Sequence, residues 1–428
     1  MIISFTVQNY KSIKEETTLN FGVDNPDDGV HTRNIAYPDR DGKIPVLRSV
    51  GIWGPNASGK SNLLDALEAL QKLVATSHKY ELDKPIKEYQ PFKLDSKCVD
   101  DPVVFELEFI GKDKLLYRYC VKFIRLKITS ESLYFYPGAK PAKLFDRKDG
   151  IAQARWFGTK LTGEKAMSCL DNQCYLSVAA QNGNSSEQLK EAFRYIRGRI
   201  NFIHPNAKTD QDLMPTDEEY IKTLSSLLAY ADLGIELKLK KAEIDVKKLP
   251  KNLPESIKQQ ILSAPKYFPI FHHHGLNVSF QKFEESAGTR RLYDISPFII
   301  LGLNSSETFV LDEIDCQLHP RIVEMIIHLF HDEEINGRNP QLIFTSHNTE
   351  FMDENIFRRD QIWFTQKNDH GVTELTCLDE FNQVRVDTNF EKWYRDGRFE
   401  AIPEIQYAKL KKAIARAAEI PDEIGGRQ

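Results

Sequence analysis

The sequence predicts an α/β fold: a parallel sheet covered by helices, built from both ends of the chain, with a mostly helical insertion between them. Three observations lead there. In "GIWGPNASGKSNLLDALEAL", Gly51 to Leu70, a glycine-rich turn joins an apolar run to an amphipathic stretch with Leu63, Leu64, Leu67 and Leu70 on one face. After residue 290 the apolar segments "ETFVLDEID", "PQLIFTSHN" and "DQIWFTQK" alternate with helical stretches, the rhythm of parallel strands and crossover helices. From about 150 to 290 the pattern is helical, clearest in "SSEQLKEAFRYIRGRI" and "DEEYIKTLSSLLAYADLG".

The elements follow in order. Residues 1–22 alternate in "IISFTVQNYKSIKEETTLNF" and read as one or two half-buried strands joined near Lys11–Ser12. Residues 23–45, rich in Asp, Asn, Pro and Gly, form a long loop, and "VLRSVGIWG" enters the glycine-rich turn as a strand. "PVVFELEFIG" and "KLLYRYCVKFI" make a hairpin and "ITSESLYFYP" a further strand, an antiparallel β-meander unlike a βαβ series. The tail "EIQYAKLKKAIARAAEI" is a short amphipathic helix that can dock on its own domain or on a partner. The expected division is a core lobe over 1–150, a mostly helical insertion over 151–280, the rest of the core over 281–380 and a helical tail over 381–428.

Composition narrows the class. Apolar content of 41% and charged content of 28% suit an ordinary globular chain, and a net charge of −5 gives no global sign of a nucleic-acid binder, although a local basic groove escapes that count. Six cysteines without a C-x-x-C pair read as reduced thiols, with neither a disulfide frame nor a zinc site indicated. No apolar run reaches the ~18 residues of a spanning helix, and "MIISFTVQNYKSIKEE" carries charge too early for a signal peptide. The expectation is a cytoplasmic, soluble protein with no membrane partner.

Four stretches carry chemistry. Gly54, Pro55, Asn56, Ala57, Ser58, Gly59, Lys60 and Ser61, followed by Asn62, fit the pattern G-x-x-x-x-G-K-[ST] in full. Backbone amides of such a loop and the following helix start cradle phosphate oxygens. Lys60 then reaches the β- and γ-phosphates, and the Ser61 hydroxyl ligates Mg²⁺. In "TFVLDEID", Asp312 and Glu313 end a buried strand, where Asp312 can hold Mg²⁺ through water and Glu313 can polarise an attacking water. "QLIFTSHN" ends in Thr345, Ser346 and His347, one helix ("RIVEMIIHLFHDE") later, and His347 there can contact a γ-phosphate or the water. "ESAGTRRLYDI" puts Ser286, Gly288 and Thr289 at a helix start, which is either an ordinary N-cap or a second phosphate-holding terminus.

The order of these stretches resembles the ATP-binding-cassette (ABC) ATPase heads, within them the RecF/SMC-like branch, in which "DEID-x-x-LHP" and an Asn at position 56 are typical. "ESAGTRR", "LDEIDCQLHP", "FTSHN", "FRRDQIWF" and "DGRFEAIP" together look like AAA-family ATP-binding proteins of the bacterial abortive-infection type, relatives of the RloA and OLD-family ATPase modules. The likeness runs from "FTVQNYKSI" to Pro403 and departs at two places. Glu400 stands where Gly is expected, and Pro297 is expected to interrupt the helix after the signature. The resemblance implies a P-loop NTPase head of ABC type using ATP and Mg²⁺ as a homodimer, with Ser286–Thr289 of one copy closing over ATP held by Lys60 of the other. It puts Asp315 at the seam and offers Gln90 as a further Mg²⁺ contact.

Three functions follow from that likeness. The first is an ATP-gated switch in anti-phage defence that controls a separately encoded effector such as a TOPRIM-like nuclease. Only about 60 residues follow "IWFTQK", too few for such a nuclease here. The alternative is a RecF- or SMC-like DNA-maintenance ATPase that binds DNA directly, although no heptads for coiled-coil arms are present. A transporter ATPase ranks last. Two features stay outside these readings. His272, His273 and His274 cannot all point one way in a strand, which argues against a metal site. Lys238, Lys240, Lys241, Lys247, Lys248 and Lys251 suit a solvated strand face better than a phosphate-tracking groove.

Overall fold

Alternating burial defines the first layer. Strands β1 (Ile2–Gln8) and β2 (Thr17–Asn20) turn one face to the core and the other towards water. The computed structural model describes residues 1–26, 30–148, 169–205, 217–241, 267–273, 278–385, 388–402 and 406–418. After the short β3 (Ile35–Ala36) and β4 (Val46–Leu47) come β5 (Ser49–Trp53) and the expected meander, β6 (Val103–Ile110), β7 (Leu116–Ile124) and β8 (Lys127–Tyr136), to which the chain adds β9 (Ala142–Lys148). With β1 and β2 the meander closes a six-stranded antiparallel sheet in the order β2-β1-β6-β7-β8-β9.

Helix α1 (Lys60–Thr76) follows β5, and the middle of the chain supplies helices α2 (Tyr175–Ala179), α3 (Glu187–Gly198) and α4 (Glu218–Leu228). It also supplies strands: β10 (Ile200–Ile203), and an antiparallel sheet of β11 (Ile235–Lys241), β12 (Tyr267–His273) and β13 (Ser279–Gln281). The lysine-rich stretch is therefore a strand as far as Lys241, while Lys247, Lys248, Lys251 and His274 lie outside the described residues. The last third adds α5 (Ala287–Leu303), β14 (Thr308–Leu311), α6 (Pro320–His331), β15 (Gln341–Thr345), β16 (Ile362–Lys367), β17 (Thr373–Cys377), α7 (Phe390–Arg395) and α8 (Tyr407–Ala418). Pro403 lies outside the described residues.

A second six-stranded sheet runs β10-β14-β15-β5-β16-β17, parallel except at the β17 edge. Its central strands are buried on both faces, which is why "SVGIW", "TFVL" and "QLIFT" read as continuous apolar runs. One face, with Val50, Ile52, Val310 and Ile343, packs on α1 and the antiparallel sheet. The other, with Trp53, Phe309, Leu311, Leu342 and Phe344, packs on α5 and α6. Among the described residues no helix is long and apolar enough to cross a membrane.

One expectation is corrected here. Pro297 does not interrupt its helix: α5 runs unbroken from Ala287 to Leu303 with Pro297 buried inside it. A proline in a helix interior costs about 3 kcal/mol in isolation. Packing overrides that cost, since Leu292, Tyr293, Ile295, Ile299 and Ile300 on both sides of the proline are buried in the second core. The Ser296 hydroxyl also donates to Leu292 O at 2.6 Å, in the turn where Pro297 has no N–H to give to Tyr293 O.

Candidate functional site

The parallel strands of the core sheet end on one edge, and the loops leaving β5, β14 and β15 meet there. Gly54 (φ 148°) and Gly59 (φ 115°) take conformations that side chains avoid. A Cβ on Gly59 would drive into Thr373 of β17, and one on Gly54 would strike the Thr365 carbonyl of β16. Hydroxyls staple the loop from behind. Thr373 Oγ1 donates to Ser58 O at 2.8 Å, and Ser58 Oγ shares a hydrogen bond with Thr365 Oγ1. Asn62 Nδ2 donates to Ser12 Oγ, which lies 2.7 Å from Thr373 Oγ1. Asn56, Ala57 and Ser61 remain exposed at the mouth, while Ser58, Gly59 and Lys60 are buried.

Lys60 folds back over the loop. Its ammonium donates to Gly54 O at 2.8 Å, to Pro55 O at 3.1 Å and to His347 Nδ1 at 3.3 Å. Burial lowers its pKa to about 8, against the opposing pull of Asp312, Glu313 and Asp315. Burial, then the neighbouring Lys60 charge, also lowers the pKa of His347, so its neutral ring can accept the Lys60 proton. An ammonium satisfied only by two carbonyls and an imidazole, with three carboxylates near it, is suited to exchange those contacts for phosphate oxygens.

The acidic loop is built by a residue whose part the sequence reading missed. Thr345 Oγ1 donates to Asp312 Oδ1 at 2.6 Å and accepts the Glu313 N–H at 2.7 Å. Glu313 sits at φ 51°, a left-handed position that turns its half-exposed carboxylate towards His347 Nε2, 4.0 Å away. The signal available was a threonine closing the otherwise apolar "QLIFT". Ser61 Oγ donates to Asp312 Oδ1 at 3.3 Å. Two oxygens in cis positions of a Mg²⁺ octahedron with ligands at ~2.1 Å lie about 3 Å apart, so this pair fits such an ion. Asp315 Oδ2 accepts the Asn348 N–H, and Asn348 O accepts from Trp53 Nε1 at 2.8 Å, which fixes the loop carrying His347.

Lys60, Ser61, Asp312, Glu313 and His347 thus meet. Ser286, Gly288 and Thr289 share no hydrogen bond with these five among the described residues. Ser286 caps α5 by accepting the Thr289 N–H at 3.1 Å, and its hydroxyl lies 2.8 Å from that of Thr289. Gly288 abuts Gln317, where a Cβ would come within 3.1 Å of the carbonyl. Gln90 is exposed, and its carbonyl accepts the Lys11 N–H. Lys11 in turn pairs with Asp65, one turn beyond Ser61 on α1. Away from the site, His272 Nδ1 lies 3.2 Å from Ser279 Oγ and His273 Nε2 lies 2.8 Å from Glu285 Oε1.

Residues 49–166 and 175–353 match the family profile described as "AAA domain, putative AbiEii toxin, Type IV TA system". The chain belongs to this AAA family. All four motif stretches of this ATPase lie inside the matched residues. Among solved structures, the SMC head domain from Thermotoga maritima is 13% identical, covers 88% of this chain and 98% of its own, and aligns with a TM-score of 0.41. An Smc head domain derived from Pyrococcus furiosus, bound to the C-terminal domain of ScpA, is 13% identical over 92% of this chain and 98% of its own (TM-score 0.41). The recombination mediator protein RecF is 11% identical over 88% and 98% (TM-score 0.38). No curated protein matches the chain.

Proposed function

We propose that this AAA ATPase is an ATP-gated dimeric switch. Two copies face each other, and Ser286, Gly288 and Thr289 of one close over ATP held by residues 54–62 of the other. What supports this is that, among the described residues, no hydrogen bond or ion pair joins residues 286–289 to residues 54–62. The cap takes up the Thr289 N–H and leaves the Ala287 and Gly288 N–H groups to offer to a phosphate on another copy. Ser61 and Asp312 hold Mg²⁺, with Gln90 as a weaker third contact, and ATP with Mg²⁺ supplies the reacting phosphate. Glu313 takes the proton of the attacking water, His347 steadies the γ-phosphate end, and Lys60 neutralises phosphate charge.

In this reading hydrolysis times the association, and the output reaches a separately encoded effector such as a nuclease in a cytoplasmic anti-phage system. The family description itself names a putative AbiEii toxin of a type IV TA system. Sedimentation of Glu313→Gln with ATP and Mg²⁺ tests the core of it. A doubled mass with ATP, reversed by adding Ser286→Arg, is the expected result. A chain that holds ATP and stays monomeric at every concentration would sink the proposal. Co-purification from the native host separates the effector reading from direct DNA maintenance, in which DNA alone is retained.

A further inference from the structure

The core sheet has a second populated edge, at the opposite ends of its strands. There a cleft of ≈ 160 Å³ is lined by Lys112 and Lys114 from the β6–β7 turn, Arg199 before β10, Ser306 before β14, and Arg338 and Asn339 before β15. It is separated from the Asp312 edge by the length of β14, about 13 Å at ~3.3 Å per residue. Four cations face this cleft and no carboxylate lines it.

Of the two acids beside the lysines, Glu191 has a cationic partner and Asp113 has only neutral donors. Glu191 pairs with Arg199 at 2.8 Å and accepts the Lys112 backbone N–H at 2.6 Å. Asp113 accepts from the Leu115 N–H and the Tyr117 hydroxyl. Arg338 donates only to a neutral group, Asn304 O at 2.7 Å, and the exposed Lys112 and Lys114 have no ion pair among the described residues. The groups that line the cleft therefore carry an excess of positive charge, in a chain whose net charge is −5. Like charges gathered in a concave site raise the local concentration of anions. The volume lies below the roughly 300–1,000 Å³ of sites that enclose a whole small molecule, so it suits one tetrahedral oxyanion with the remainder of the ligand outside. The Ser306 hydroxyl and Asn339 amide add neutral donors beside the cations.

We propose that this cleft binds a phosphate group, at a site separate from the ATP site. It does not depend on how that site works. Phosphate chemistry can arrive as a free phosphate or as the backbone of a nucleic-acid strand, and the test has an arm for each. The full chain carrying Lys60→Ala, which silences the glycine-rich loop, is titrated with inorganic phosphate and with a ten-nucleotide single-stranded DNA. Saturable phosphate binding with little effect of the strand identifies a free phosphate. Tighter strand binding with a steep salt dependence identifies a backbone. In either case Lys112→Ala/Lys114→Ala should weaken binding by about tenfold or more, as loss of one charge-assisted contact implies. Arg338→Gln should act in the same direction, and it guards against a folding defect in the lysine pair. Failure of both probes to saturate, or affinity unchanged in both variants, overturns the proposal.

Discussion

Raising the pH should loosen the grip of this ATPase on ATP, through Lys60. Burial holds the Lys60 ammonium at a pKa of about 8, against an ordinary 10.5. Phosphate oxygens beside it favour the charged form and push that value back up, so ATP binding takes up a proton wherever free Lys60 is neutral. With the bound value at 10.5 or above, affinity should fall about tenfold between pH 7 and pH 9, and only about twofold of that fall comes before pH 8. The sign for folding is opposite. The nucleotide-free fold binds fewer protons at Lys60 than the unfolded chain between pH 8 and 10.5, so this group's contribution to stability rises with pH in that window. The assay is calorimetric titration of a non-hydrolysable ATP analogue at pH 7, 8 and 9, repeated at pH 8.5 in two buffers of different ionisation enthalpy. Proton uptake should be visible at pH 8.5, and Lys60→Arg, which stays charged, should flatten the profile. An affinity that is level from pH 7 to 9 in the unaltered chain, with no proton uptake, refutes the reasoning.

Four further outcomes follow from the same geometry. Glu313→Gln should keep ATP affinity within a few-fold while slowing turnover by about 10²–10⁴, measured as phosphate release; normal turnover counts against Glu313 as the base. Gly59→Ala should lose ATP binding, because the new Cβ meets Thr373 at a φ of 115°, and nucleotide titration reads this directly. Thr345→Val removes the hydroxyl between Asp312 and Glu313 and should cost about 1–3 kcal/mol in denaturant melts, with kcat falling more than ATP affinity. Glu400→Gly should stabilise the fold by roughly 0.5–1 kcal/mol, since a left-handed residue other than glycine costs about 1–2 kcal/mol; Glu400 is exposed at φ 57°.

Much of this architecture was legible because the local signals agree with the fold. The loop at 54–61 had a strand before it and a helix after it, and "TFVL" and "QLIFT" are apolar throughout because helices and a second sheet cover both faces. The Glu400 departure was legible too, as a glycine-favouring position occupied by another residue. The supports of the site were hidden. Ser12, Thr365 and Thr373 are unremarkable in their own segments, and they matter only because sheet pairing brings them behind the glycine-rich loop. Pro297 misled for the converse reason, since a local rule about helices cannot see the buried neighbours that hold α5 straight. The cleft of Lys112, Lys114 and Arg338 joins segments more than 200 positions apart, and net charge alone gave no hint of it.

The staple behind the loop also sets a schedule for making the protein. Ser12 and Thr373 share a hydrogen bond across 361 positions, and β5 lies between β15 and β16, both from the last third of the chain. A nascent chain that has just exposed Lys60 therefore has neither the neighbours of β5 nor the hydroxyls that shape the turn. At ~5–20 residues per second, reaching Thr373 takes roughly a quarter of a minute to a minute more. During synthesis the unfinished chain is blind to nucleotide, and competence to hold ATP arrives late, as a sign that both halves of the core have found each other.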